Sequence, residues 1–377
     1  MKCFSALFLF AIAVQAQSIS VPLSPDHWII GEKNERIRPG KKLDDNGKLV
    51  THLGRESLML AKGFAYSRNL DFQNGTIDAD LAFAANGNFI GLAFRVQSED
   101  EYELFFFRHG ASGTLQAVQY TPSFFGANAW QLYNLPTYAG PAEFSDQWFH
   151  IRVVVAGLEA RLFVNGAAEP ALVIPDLKQG YSKGSIGLWG QDGGGYFSNV
   201  TYTPDSAVYH LEIKQNFLPG ALTNWELSDS FDASEIDPAT YPGSRHWKWE
   251  KVQAENPGMV VIQRYRRDPN ILPAGNRGNE RVPGSKVVFA RTTIHADRDE
   301  LRKMNIGYSD KVVVYVNHQP LYAGNNTIAS REPDFLGLLN ADNDVLYLPL
   351  KKGANELLLA VTEFFGGWGF LCKLAAP

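Results

Sequence analysis

The sequence predicts an all-β protein built from two β-sandwich domains in tandem, and three observations carry that reading. Composition comes first: 34 Gly, 20 Pro and 12% aromatic residues favour many turns between short strands over helical bundles. Spacing comes second. Short runs rich in β-branched and aromatic residues recur about every 8–12 residues with Gly, Asn and Asp between them, as sandwiches do. Length comes third, since 377 residues exceed what one core fills, and cores split at roughly 250–300 residues.

The N-terminus reads as an export signal over residues 1–16. Lys2 gives the positive start, Cys3 to Val14 the apolar run, and Val14-Gln15-Ala16 the small residues of a cleavage site before Gln17. That run is too short for a membrane span, and no later segment is long and apolar enough for one. A secreted, periplasmic or extracellular protein is expected. Cleavage would leave Cys372 as the one cysteine, a buried thiol acting as a small hydrophobe in Gly369-Phe370-Leu371-Cys372.

Residues 17–50 are irregular, and residues 17–205 are assigned to the first sandwich. Its strands are expected at Ser57–Ala61, Gly75–Phe83, Phe89–Val96, Tyr102–Arg108, Leu115–Tyr120, His150–Val155, Ala160–Val164 and Ser185–Trp189. Alternation places Ile90, Leu92, Phe94 and Val96 on one face, and Gly91, Ala93 and Arg95 on the other. Ser185, Gly187 and Trp189 likewise oppose Ile186 and Leu188. A face floored with Gly and Ala and carrying Arg95 and Trp189 is expected to leave room for a ligand.

Residues 206–220 read as a linker and 221–377 as the second sandwich. Strands are expected at Val287–Ile294, Lys311–Val316, Val345–Leu350 and Glu356–Val361, with a short helix over Asp297–Lys303 and a long loop over 268–286. Trp247, Trp249 and Trp368 are heavy anchors, Trp368 a core residue.

Charge and motifs exclude several functions. The net charge of −5 comes without a dense Lys/Arg run, so nucleic acid is not an expected partner. The eight His are scattered and form no zinc-binding pair, although His109 and His150 could meet. Gly180-Tyr181-Ser182-Lys183-Gly184 has the spacing of a serine-hydrolase elbow, but a strand follows it where a helix is required. Glu99, Asp100, Glu101 and Glu103 sit at a hairpin turn. Asp78 and Asp80 share a strand face, a weak basis for catalysis. Asn74, Asn199 and Asn325 head glycosylation sequons, relevant only if the host glycosylates exported proteins.

Residues 55–203 resemble the concanavalin A-like, laminin-G-like domains of bacterial exported proteins. The resemblance rests on Gly91-Leu92-Ala93-Phe94-Arg95, Tyr102 to Arg108, Gln119-Tyr120, Trp148, Ala160-Arg161-Leu162-Phe163-Val164-Asn165-Gly166, Gly184 to Trp189 and Tyr196-Phe197-Ser198-Asn199. Residues 215–374 are similar to galactose-binding-like jelly rolls, through Asp310 to Asn317, Leu321-Tyr322, Leu348 to Leu357 and Phe365 to Phe370; His318 stands where that family usually has Gly. Calcium in such sandwiches is implied by resemblance, with Asn340, Asp342, Asn343 and Asp344 as oxygen donors, although an Asx turn explains the same residues.

Glycan binding is the function this pattern supports. Sugars stack on aromatic rings while amides and guanidinium groups hold their hydroxyls, and the segment from Arg108 to Tyr133 mixes both. The expected ligand-binding set is Arg95, Arg108, Gln119, Tyr120, Trp130 and Trp189, with a glycan or polysaccharide as partner. No catalytic residue is assigned. Two other readings stay open: a glycoside hydrolase or keto-sugar hydrolase or lyase, which needs a carboxylate or His pair facing the groove, and a structural module whose sheet faces are covered.

Overall fold

The structure is a computed structural model that describes residues 17–31, 47–134, 137–209, 213–235, 240–243, 247–269 and 283–376. The export signal of residues 1–16 and most of the long loop expected at 268–286 lie outside them. The described residues form four antiparallel sheets. Two are drawn from the first half of the chain and two from the second.

The first sheet runs, edge to edge, Leu172–Ile174, Glu159–Val164, Phe149–Ala156, Gly75–Phe83, Gly195–Pro204, Arg55–Leu60 and Lys48–His52, with Ile19–Ser20 beside Gly195–Pro204. The second runs Ala127–Asn128, Val118–Phe124, Glu101–Arg108, Phe89–Ser98, Ser185–Gln191, Gly63–Ser67 and Trp28–Gly31, with Ala139–Gly140 on Val118–Phe124. Alternation fixes their facing sides. Ile77, Ala79 and Leu81 of the first meet Ile90, Leu92, Phe94, Phe105 and Phe107 of the second in one buried core.

In the second half, the six-stranded sheet orders Glu250–Gln253, Asn224–Asp232, Lys286–Ala296, Gly353–Glu363, Lys311–Val316 and Gln319–Asn325. It packs on a four-stranded sheet of Met259–Val261, Gly369–Leu374, Glu300–Ser309 and Asp344–Leu350. Trp368 and Cys372 are fully buried between them, as the sequence predicts. Burial alone pushes the Cys372 thiol pKa well up. The helix expected at Asp297–Lys303 is instead a short bend that carries the chain from the six-stranded sheet into the four-stranded one. Asp297–Asp299 turn the chain, and Glu300 already pairs with Leu350. Asp299 fixes that turn by accepting hydrogen bonds from the Lys352 N–H and Lys351 Nζ, both at 2.9 Å.

Around Met259–Val261 and Leu371 the four-stranded sheet is buried on both faces, whereas Leu301, Val345 and Tyr347 leave the outer face of its remaining strands exposed. Val260 and Phe370 point into the second core, while Met259, Val261 and Leu371, with Leu339 and Ala341, join the core of the first sandwich. Polar contacts reinforce this seam. Gln131 Nε2 donates to the Leu336 carbonyl at 2.8 Å, and the Gln131 N–H donates to the Gly366 carbonyl at 3.0 Å. Lys178 meets Asp176 at 2.7 Å and Glu255 at 3.3 Å, Arg264 meets Glu255 at 3.0 Å, and Tyr133 donates to Glu255 at 2.6 Å. Burial opposes the charge on Lys178, but Glu255, Tyr138 and Asp176 outweigh it and raise its pKa.

Candidate functional site

The outer face of the second sheet is built row by row from strand register. One row crosses Gln119, Phe106, Gly91, Trp189 and Phe64; the next crosses Thr121, Leu104, Ala93, Gly187 and Tyr66. Gly91 lies between two aromatic residues, so Phe106 and Trp189 meet edge to face with centroids 6.0 Å apart. A Cβ at Gly187 would sit 2.7 Å from Phe64 Cζ, because the Phe64 ring lies across that position to stack on Tyr102 at 4.7 Å. The small-residue floor is therefore filled by neighbouring aromatic side chains. This corrects the expectation of an empty space above Gly91 and Ala93.

Two expected ligand residues point the other way. Arg95 is 0% exposed. It has φ +51° at a bulge where Phe89–Ser98 slips against both neighbouring strands, so its side chain turns inward and Val96 outward. There Arg95 donates to the carbonyls of Gln73 at 2.9 Å and Gly157 at 2.6 Å, to that of Gly180, and to Asn74 Oδ1 at 3.3 Å. Burial lowers its pKa, and nearby Glu103 works against that shift. Tyr120 also faces inward: its hydroxyl donates to Glu103 at 2.5 Å and accepts from the Lys178 N–H at 3.0 Å. Both residues are structural.

The other four converge at one corner of the outer face. Trp189 is on it but only 6% exposed. Gln119 is buried and acts as a clamp. Its Nε2 donates to the Trp130 carbonyl at 2.7 Å and to the Tyr133 carbonyl, while its Oε1 accepts from Arg108 at 2.5 Å. Gln119 thus positions both Trp130 and Arg108. The Arg108 guanidinium lies over the Phe106 ring at 4.9 Å and the Trp130 ring at 5.7 Å. It also donates to Gln116 Oε1 at 3.0 Å. Burial alone lowers its pKa, to about 10. Arg108, Trp130 and Phe89 are partly exposed. Phe89 and Phe106 belong to the corner without having been expected there. Phe106 shares strand parity with Arg108, and Phe89 with Gly91, which was the available sign.

Other candidates resolve differently. Asp78 and Asp80 lie on the opposite outer surface, on the first sheet, joined by His150 at 3.0 and 2.8 Å. Arg152 at 2.8 Å, Arg55 at 2.5 Å and Asn199 at 2.7 Å complete that network. His109 instead stacks on Phe83 at 4.7 Å. Among the described residues, no carboxylate projects from the outer face of the second sheet beside Phe106 and Trp189, as a hydrolase groove there would need. Ser182 precedes a strand, Ser185–Gln191.

Three of the four oxygen donors near residue 342 accept hydrogen bonds from protein groups. Asp344 accepts from Arg331 at 2.5 Å and Tyr308 at 2.7 Å, Asp342 from Asn305 at 2.6 Å, and Asn340 from the Asp342 N–H at 2.9 Å. That last contact is an Asx turn.

Two further carboxyls are buried below the corner. Asp310 accepts the N–H groups of Phe364 and Phe365, both at 3.2 Å, and Glu363 accepts that of Gly367 at 3.2 Å. Burial raises both pKa values above the usual carboxylate range, with mutual repulsion adding to the shift of Glu363. Phe365 packs on Trp130 at 6.3 Å, so the loop carrying these acids also braces the corner.

No protein-family model matches the sequence, and no curated protein matches it. Among solved structures, the chain is similar to a carbohydrate binding module from Bacillus subtilis at 15% identity, over 42% of this chain and 92% of that one, with TM-score 0.33. It is also similar to a β-glucanase from Bacillus licheniformis at 13% identity, over 50% and 98%, with TM-score 0.34. A galectin from Caenorhabditis elegans aligns at 13% identity over 42% and 96%, with TM-score 0.27. The assignment as an all-β protein of paired antiparallel sheets stands on its own strand register and cores.

Proposed function

We propose that the protein binds carbohydrate, without cleaving it, at the corner formed by Arg108, Trp130, Phe106 and Phe89. The carrying observation is the placement of the Arg108 guanidinium over the Phe106 and Trp130 rings, at 4.9 and 5.7 Å, at a partly exposed edge. A ring face beside a fixed hydrogen-bond donor is what a sugar requires: its C–H face packs on the indole while its oxygens accept from the guanidinium. Gln119 holds both groups in place before any ligand arrives, which reduces the ordering cost of binding. The export read from residues 1–16 would deliver the protein to where polysaccharides are exposed.

The test is a glycan microarray followed by polysaccharide pull-down. Wild-type protein is expected to retain a subset of glycans, and Trp130→Ala to weaken that retention about tenfold or more, a loss of about 1.4 kcal/mol. Retention of no glycan by wild type, or unchanged retention by Trp130→Ala, overturns the proposal.

A further inference from the structure

We infer that the Arg108 corner selects acidic saccharides and holds the carboxylate of a hexuronate residue; this rests on the carbohydrate reading above. The acceptors that Arg108 meets are all neutral: Gln116 Oε1 at 3.0 Å, the Gln116 carbonyl at 3.4 Å and Gln119 Oε1 at 2.5 Å. Among the described residues, no carboxylate lies within ion-pairing distance of it. This sets Arg108 apart from Arg264 and Arg266, which pair with Glu255 and Glu250 at 3.0 and 2.6 Å.

A partly buried cation without a counter-charge is costly to keep. Holding Gln116 and Gln119 requires hydrogen-bond donors but not a full charge, so the charge calls for its own explanation. The pKa of about 10 leaves the group fully protonated at neutral pH. Three N–H donors point at the two glutamines, which leaves Nε–H and one Nη2–H of the five without a partner among the described residues. A planar carboxylate fits such a donor fork, and a desolvated charge pair strengthens it. The Phe106 and Trp130 rings fix the guanidinium plane, so the fork is set before binding. With Trp130 beside it, a pyranose ring can rest on the indole while its C5 carboxylate reaches Arg108.

Titration calorimetry with matched pairs of oligosaccharides tests this. The panel holds oligomers containing galacturonate, glucuronate or mannuronate, each alongside its carboxyl-reduced neutral form, with sulfated neutral oligomers as a third arm. Wild type is expected to bind at least one acidic oligomer tenfold or more tighter than its reduced partner, with the preference shrinking as salt rises. Arg108→Gln is expected to bring the two affinities together, and Arg108→Lys to recover only part of the difference because it lacks the fork. Unchanged thermal unfolding of each variant guards against misfolding. Equal affinity of wild type for acidic and reduced forms overturns the uronate assignment and leaves glycan binding standing. Preference for the sulfated arm over every uronate also overturns it. Binding of no oligomer in any form removes the carbohydrate reading itself.

Discussion

Gln131 Oε1, from the first half of the chain, accepts a hydrogen bond from Ser309 Oγ, in the second half, at 2.9 Å. Both residues are fully buried, so the contact is made away from water. The Gln131 amide also donates to the Leu336 carbonyl. Replacing it with alanine leaves buried donors and acceptors without partners, at about 1–3 kcal/mol. Gln131→Ala is expected to lower the urea midpoint of the whole chain in a single transition. Separate transitions for the two halves would show that the seam does not couple them.

Lys178 sits between Asp176 and Glu255 with almost no exposure. Removing one partner from a buried charge network costs more than the network contributes, about 3–5 kcal/mol. Lys178→Met should therefore destabilise strongly in chemical denaturation. The double variant Lys178→Met with Glu255→Gln should recover part of the loss. A double variant worse than the sum of both singles would contradict this account.

Asp310 and Glu363 give a pH dependence of unusual sign. Their folded pKa values lie above the unfolded ones, so on raising the pH the unfolded chain releases these protons first. The native state then holds more protons, and stability falls as pH climbs from about 4 towards the raised native values. Below the unfolded pKa nothing is lost. Asp310→Asn keeps an oxygen for the N–H groups of Phe364 and Phe365. It is expected to have a higher urea midpoint than wild type at about pH 8, the gain vanishing near about pH 4. Parallel pH profiles for the two proteins would refute the assignment.

Trp189 and Trp130 should separate stability from binding. Trp189 is sealed against Phe106, so Trp189→Ala removes core packing and is expected to cost about 3–5 kcal/mol. Trp130 is partly exposed, and Trp130→Ala should cost roughly 1 kcal/mol while affecting glycan retention most. Thermal melts of both variants alongside binding assays check this; a Trp130 variant as unstable as the Trp189 variant would place Trp130 in the core.

Much of the architecture is legible in strand periodicity. Gly75–Phe83 and Lys311–Val316 fall where alternation and turn residues place them, because their patterns reflect one buried side. Short edge strands such as Leu172–Ile174 carry too few residues to show a period. The Asp297–Lys303 segment departs from the expected helix because its charged residues suit a solvent-facing bend between two sheets as well as a helix. The site was half legible. Arg108 and Trp130 meet as the aromatic and guanidinium mixture suggests, but period-2 counting fails for Arg95 once a bulge adds one residue. Nor does alternation reveal that Phe64 leans over Gly187: a small side chain records a close neighbour as readily as an empty space.

The four-stranded sheet, shared between two cores, makes the polypeptide connection between the halves dispensable once folding is complete. A protease nick at Val208, which is 79% exposed, would release no fragment: the two pieces should co-elute in gel filtration and part only in denaturant. Expressed without its companion, the C-terminal piece would present Met259, Val261 and Leu371 to water and clump.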